Sequence, residues 1–423
     1  MGLGALWAAA LAGPALAQPV PEGSGRASIS GNPAATTFST GTGQLGRWLG
    51  LRDEWGVRLG GLWLADTNFV VAGGVQPGGW SNNSALFVGL GLDAEKLVDW
   101  RGASFGFQFL QFNGADNNSQ VGMIVGYNGI VGPFPHNRSE LFQAWYEQTL
   151  FEDVLKVRIG RSTPSADFNN VLRPVAFTDS TQNVPSLSGV LYPTIFCNGS
   201  MIGVLPGYYN PGDGVTVNFT PTTSFYLNLG AYDGNNARGV QTGITAPQFN
   251  GYYFTIAEIG FDWLLGEGRH PGQFGIGLWR QTGQLTARGI NEQGTGGVYA
   301  FGSQRVAFGL NDRVAASSVS VFYQFGVNSS QTMPINQYYG AGITGFALIG
   351  DRERDSMGLG VALSRPNPNL FTKSTEVILQ AYYQAHVAAA IFLQPTVSYI
   401  PSPGAVASAP GALTTTLRLT VLF

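Results

Sequence analysis

The sequence predicts an all-β fold, a transmembrane antiparallel β-barrel of about 16 strands with a short N-terminal periplasmic segment. Three observations predict it. Only 11% of the 423 residues are charged and 44% are hydrophobic, whereas an ordinary soluble domain is about 25% charged. So few charges do not keep a large water-facing surface soluble. Beyond residues 1–17, no stretch approaches the ~20 unbroken apolar residues of a spanning helix. Instead, segments of about ten residues alternate oily and polar with period 2, the length a tilted strand needs to cross a bilayer.

Residues 1–17 read MGLGALWAAALAGPALA, an apolar run closing on Ala15-Leu16-Ala17 before Gln18. That small-residue ending is the pattern of a cleaved export signal. Residues 18–53 form a Pro/Gly/Ser/Thr-rich tail that ends in QLGRWLGLRDEWG, where Leu45, Trp48, Leu49 and Leu51 can share one side of a short periplasmic helix. The barrel occupies 54–423. Its candidate strands are 55–66, 84–93, 103–113, 142–150, 154–161, 214–220, 224–233, 252–263, 272–281, 298–307, 316–326, 337–346, 356–364, 374–385, 391–400 and 412–423. An even count of that size leaves an aqueous lumen.

The clearest oily rows are Phe105/Phe107/Phe109, Leu155/Val157/Ile159, Phe225/Leu227/Leu229, Phe274/Ile276/Leu278, Met357/Leu359/Val361/Leu363 and Val377/Leu379/Ala381/Tyr383. Opposite them stand Ser104/Gln108, Lys156/Arg158, Tyr226/Asn228, Gln273/Trp279, Gly358/Gly360 and Glu376/Gln380/Gln384, so the lumen carries glycine, amides and charges. FEDV, TPTT and HVAAA are tight turns, while 114–141, 162–213 and 234–251 are long and polar. Short turns at one end and long loops at the other complete the barrel pattern. The last strand, GALTTTLRLTVLF, alternates strictly and ends on an aromatic: Leu413, Thr415, Leu417, Leu419, Val421 and Phe423 on one face, Thr414, Thr416, Arg418 and Thr420 on the other.

Other function classes find little support. A single cysteine, Cys197, forms no internal disulfide. A formal charge of −3 offers no basic footprint for nucleic acid. His136, His270 and His386 lack the spacing of a metal site, and no cofactor is expected. The chain is too short for a plugged transporter of about 22 strands.

With the strands placed, the sequence resembles the carbohydrate-selective porins of the OprB family over nearly the whole mature chain. The blocks that carry the resemblance occur in order: RWLGLRDEWGVRLGGLW, GLDAEKLVDWRGASFGF, LFQAWYEQTLFEDVLKVRIGR, GDRERDSMGLGVALSR, ILQAYYQAHVAAAIFLQPTVSYIPSPGA and LRLTVLF. The resemblance implies a barrel of sixteen strands in the outer membrane of Gram-negative bacteria that passes monosaccharides such as glucose by passive diffusion. It also implies in-folded loops and a constriction of charged and aromatic side chains. A terminal aromatic such as Phe423 resembles the recognition signal of the barrel-insertion machinery. The chain departs from the family in keeping one cysteine where a pair is common in the loop after the GR block. Thr396 and Gln380 stand where the family carries acidic residues, which implies a less acidic interior.

A neutral sugar presents hydroxyls around an apolar ring face, so a selective path needs donors and acceptors beside aromatic surface. Gln143, Trp145 and Glu147 share the inner face of one strand, and Lys156 and Arg158 the inner face of the next. One tight hairpin joins them, so Trp145, Glu147 and Arg158 can sit side by side, with Arg161 at the strand end where alternation weakens. Arg58, Asp66, Glu258, Trp279 and Arg418 are the other inward candidates. Trp63, Tyr253, Tyr323 and Tyr399 belong to the outer interface girdle. Of the aromatic side chains weighed as sugar contacts, only Trp145 and Trp279 face inward. The expected partners are small neutral sugars, outer-membrane lipid and the insertion machinery. The competing reading is a structural or adhesive barrel whose long loops close the lumen.

Overall fold

The computed structural model describes residues 44–130, 136–171, 189–192, 197–206, 210–240, 245–266, 270–315, 317–388 and 390–423. The export signal and the tail up to residue 43 lie outside them. The short helix expected before the barrel is Gln44–Trp48.

Sixteen strands follow. They are β1 Val57–Ala72, β2 Trp80–Asp93, β3 Ala103–Asn113, β4 Arg138–Leu150, β5 Leu155–Ser162, β6 Gly212–Thr222, β7 Phe225–Asp233 and β8 Tyr253–Leu265. Then come β9 His270–Ala287, β10 Ile290–Phe308, β11 Ser318–Asn328, β12 Ile335–Phe346, β13 Ser356–Pro366, β14 Glu376–Ala388, β15 Ile391–Ser402 and β16 Ala412–Leu422. Each strand pairs antiparallel with its sequence neighbour, and β16 returns to β1 to close the barrel. Closure removes the two open edges, whose backbone groups lipid could not satisfy.

Alternation decides what faces lipid. Ile276, Leu278, Leu359 and Leu417 are 45%, 60%, 59% and 47% exposed on the outer wall, where hydrocarbon rather than water covers them. Trp63, Tyr253, Tyr323 and Tyr399 are exposed on that same wall. On the inner face of β16, Thr414, Thr416 and Thr420 are buried.

Several strand boundaries move, β1 running on to Ala72 and β2 starting at Trp80 among them. The segments 272–281 and 298–307 extend into one long hairpin whose turn is Arg288-Gly289, both at positive φ. Residues 282–297 therefore continue the ladder instead of forming a loop, and beyond the lipid a strand has no need of the oily row by which strands were recognised. Strand β4 starts at Arg138 and not at 142, because a bulge opposite Gln108/Phe109 breaks its alternation. Ahead of that bulge lies a buried ion pair, Arg138 to Glu140 at 3.3 Å.

The core sits inside the barrel. Val121, Met123, Val125 and Tyr127 of the β3–β4 loop, with Phe168, Val171, Tyr192, Met201, Val204 and Leu205 of the β5–β6 loop, pack on inward Phe254, Ile256, Tyr299, Phe301, Phe322, Tyr338 and Ile378. A second cluster joins Leu64, Phe87, Leu110, Phe112, Ile130 and Phe142. The described parts of both long loops thus fold inward, and aromatics on the inner wall exceed the two weighed from sequence.

Candidate functional site

Antiparallel register sets the charged pairs. On the β4–β5 hairpin, Glu147 stands directly across from Arg158, and the Arg158 Nε and Nη2 donate to Glu147 Oε2 at 3.0 and 2.7 Å. Both contacts use Oε2, and among the described residues Oε1 is left open to another donor. The guanidinium lies over the Trp145 ring, 4.9 Å from its centroid, a cation–π arrangement. Trp145 can lie flat across β3 because residue 106 is glycine: a Cβ there would come within 2.2 Å of the indole.

The third partner of Arg158 arrives from the β5–β6 loop. Asp167 accepts from Nη1 through both carboxylate oxygens, at 3.2 and 2.9 Å. One Arg fork therefore holds a wall carboxylate and a loop carboxylate at once, a use of guanidinium geometry that an ammonium could not match. Burial pushes the Asp167 pKa above the usual carboxylate range, with Arg158 opposing the shift. The three side chains keep 20%, 15% and 12% exposure for Arg158, Glu147 and Asp167, so the lumen reaches them.

The other candidates are more enclosed. Asp66 faces Arg418 across the β1–β16 seam and takes a bidentate pair from it at 2.8 and 2.7 Å. Asn128 of the β3–β4 loop donates to Asp66 and Asn68, both at 2.8 Å. This cluster is sealed, with Asp66 side-chain exposure at 0%. Arg161 pairs with Asp213 of β6 at 3.3 Å and reaches the Thr245 carbonyl at 2.8 Å; the preceding Gly160 has φ +127°, where alternation breaks. Glu258 accepts from the hydroxyls of Tyr226 and Tyr299 at 2.9 and 2.7 Å, and from the Asn169 backbone at 2.7 Å. Trp279 points inward but is only 2% exposed, stacked on Phe254 with ring centroids 6.1 Å apart. Arg58 shares the Asp66 face of β1 and is exposed.

Wall amides and carboxylates take up the backbone groups of the in-folded loops. Glu376 accepts from Ile124, Val125 and Gly404 at 2.7, 2.9 and 2.9 Å. Gln380 accepts from the Leu191 backbone and donates to the Tyr127 carbonyl. An amide does both, whereas an ionised carboxylate could only accept.

A profile for the carbohydrate-selective porin, OprB family, matches residues 79–423. The chain belongs to the OprB family. Its similarity to Porin B of Pseudomonas aeruginosa is 24% identity, covering 82% of this chain and 83% of that protein. Among solved structures, the high-pH structure of Pseudomonas putida OprB aligns with TM-score 0.76 at 19% identity, over 92% of this chain and 100% of that one. The low-pH structure of the same protein aligns at 0.57 and 18% identity, over 91% and 100%. Those two likenesses concern the fold.

Within this OprB-family barrel, sequence reasoning brought Trp145, Glu147 and Arg158 together through one short hairpin. It missed Asp167, because a loop residue has no period that announces which wall it meets, and Asp213, because β6 begins ahead of the segment 214–220 recognised as a strand. Asn68 was legible in principle, two residues past Asp66 on the same face of a strand that runs further than its oily row suggested.

Proposed function

We propose that this OprB-family chain is an outer-membrane porin for the passive, carbohydrate-selective diffusion of monosaccharides such as glucose, with no catalytic role. The observation that carries the reading is Arg158 fixed over the Trp145 ring between Glu147 and Asp167. An indole face suits the apolar side of a pyranose ring, and the two carboxylates offer acceptors to its hydroxyls. Because the fork is already held on both sides, little ordering cost remains when a sugar passes. In this proposal Trp145, Glu147, Arg158 and Asp167 form the constriction. Asp66, Arg418, Glu258 and Arg161 hold loops and seam in place, Arg58 lines the periplasmic end, and Trp279 backs the β5–β6 loop. An export signal in residues 1–17 and contact of Phe423 with the insertion machinery belong to the same proposal.

The apolar packing inside the lumen favours a second reading, a structural or adhesive barrel closed by its loops. Swelling of reconstituted liposomes separates the two. Proteoliposomes in isotonic glucose should swell at a rate that rises with protein loading. Behaviour like that of empty liposomes at high loading would remove the channel reading and leave the closed barrel.

A further inference from the structure

The outer wall carries two arginines at matching places. On β9 the lipid-facing row Phe274, Ile276, Leu278 is continued by Arg280, and on β13 the row Leu359, Val361, Leu363 is continued by Arg365. Both arginines are exposed, and both lie at the loop end of the barrel, Arg280 below the Arg288-Gly289 turn and Arg365 next to the loop that follows Pro366. With the short turns toward the periplasm, that end meets the outer leaflet.

Their surroundings leave the charge unneutralised. Among the described residues no carboxylate lies within ion-pair distance of either. Arg280 sits across from Thr255 on β8 and Gly296 on β10. Its side chain runs along β10 toward the cell surface: a Cβ on Gly296 would lie 3.7 Å from Cδ, and one on Gly294 3.6 Å from Nη2. Gly294 occupies a bulge, at φ +65°. Two glycines therefore leave a bare shelf beside the guanidinium. Arg365 donates to the Thr375 hydroxyl at 2.6 Å, opposite Gln337. Tyr253 and Tyr339 stand nearby on the same wall, 41% and 44% exposed. A cation at the end of an oily row can extend its head into the interface, and a guanidinium fork matches phosphate oxygens two at a time.

We propose that Arg280 and Arg365 dock headgroup phosphates of the outer leaflet's phosphorylated glycolipid, binding lipid at two fixed points of the barrel rim. The proposal rests on the outer-membrane reading but not on sugar passage, so it and the swelling test can fail separately. The full barrel is reconstituted in phosphatidylcholine vesicles containing lipid A, re-extracted in detergent with a chelator present, and the lipid A retained per barrel is measured by mass spectrometry. Wild type should retain it, and the double variant Arg280→Gln/Arg365→Gln should retain several-fold less while keeping its heat-modifiable migration and its conductance. If the double variant folds poorly, the single variants carry the test, each losing part of the retention. Equal retention by the variants, or equal retention of dephosphorylated lipid A by wild type, overturns the proposal. So does thermal stabilisation of wild type by inorganic phosphate in plain phosphatidylcholine that matches the effect of lipid A, which would mark a free-anion site.

Discussion

At Arg158 three interactions converge on one guanidinium, and their charges do not cancel. Glu147 and Asp167 together outweigh the single cation. Replacing Arg158 by Ala leaves two carboxylates facing the path, so reversal potentials should move toward cation preference and sugar block of ionic current should weaken several-fold. That corresponds to about 1 kcal/mol, the size of a hydrogen bond in a wet site. An Arg158→Ala pore with unaltered block and reversal potential would make this hairpin plain wall. Acid should act in the opposite direction. Because burial raises the Asp167 pKa, this residue takes up a proton at a pH where ordinary aspartates are still charged, and the trio goes from one net negative charge to neutral. Cation preference should therefore fall as the pH drops through the region just above the usual carboxylate range. Asp167→Asn should show no such step there, which recordings over a pH series would check. Cys197 supplies a separate probe of the β5–β6 loop. Burial pushes its thiol up to about 12, so a maleimide at mildly alkaline pH should label it only after unfolding, and fast labelling of the folded barrel would place this part of the loop outside.

Among the strands, the β1–β16 seam has no sequence neighbour to hold it together and depends on complementary faces. Gly61 exchanges two backbone bonds with Phe423, at 2.6 and 3.0 Å, and a Cβ on Gly61 would lie 2.5 Å from the Phe423 ring. The ring lies on the bare backbone of β1. Gly61→Leu should displace it and cost about 1–3 kcal/mol by overpacking, seen as less heat-modifiable barrel in outer membranes; deletion of Phe423 should act the same way. Wild-type levels of folded barrel in both variants would show that this end of the seam is dispensable.

For the whole barrel, the lumen is furnished by the loops as much as by the wall. Glu376, Gln380, Glu258 and Gln273 each bind loop backbone, so moving a loop means exposing several paired groups at once. Single-channel current in planar bilayers should accordingly stay open and steady as voltage is raised. Stepwise closure at moderate voltage would show that these attachments yield easily.

The sequence alone determined the barrel class, the approximate place of all sixteen strands and the face that most of them present, because a strand in lipid must alternate with period 2 and a spanning strand has a set length. It also determined the Glu147–Arg158 pair, since a tight turn fixes register between residues close in the chain. Only the tertiary structure decided that Asp66 meets Arg418, because their strands are joined by barrel closure and not by a turn. It alone showed where Asp167, Asn128 and Asn169 dock, because an in-folded loop is positioned by whichever wall amide, hydroxyl or carboxylate satisfies its backbone, and that choice leaves no period in the sequence.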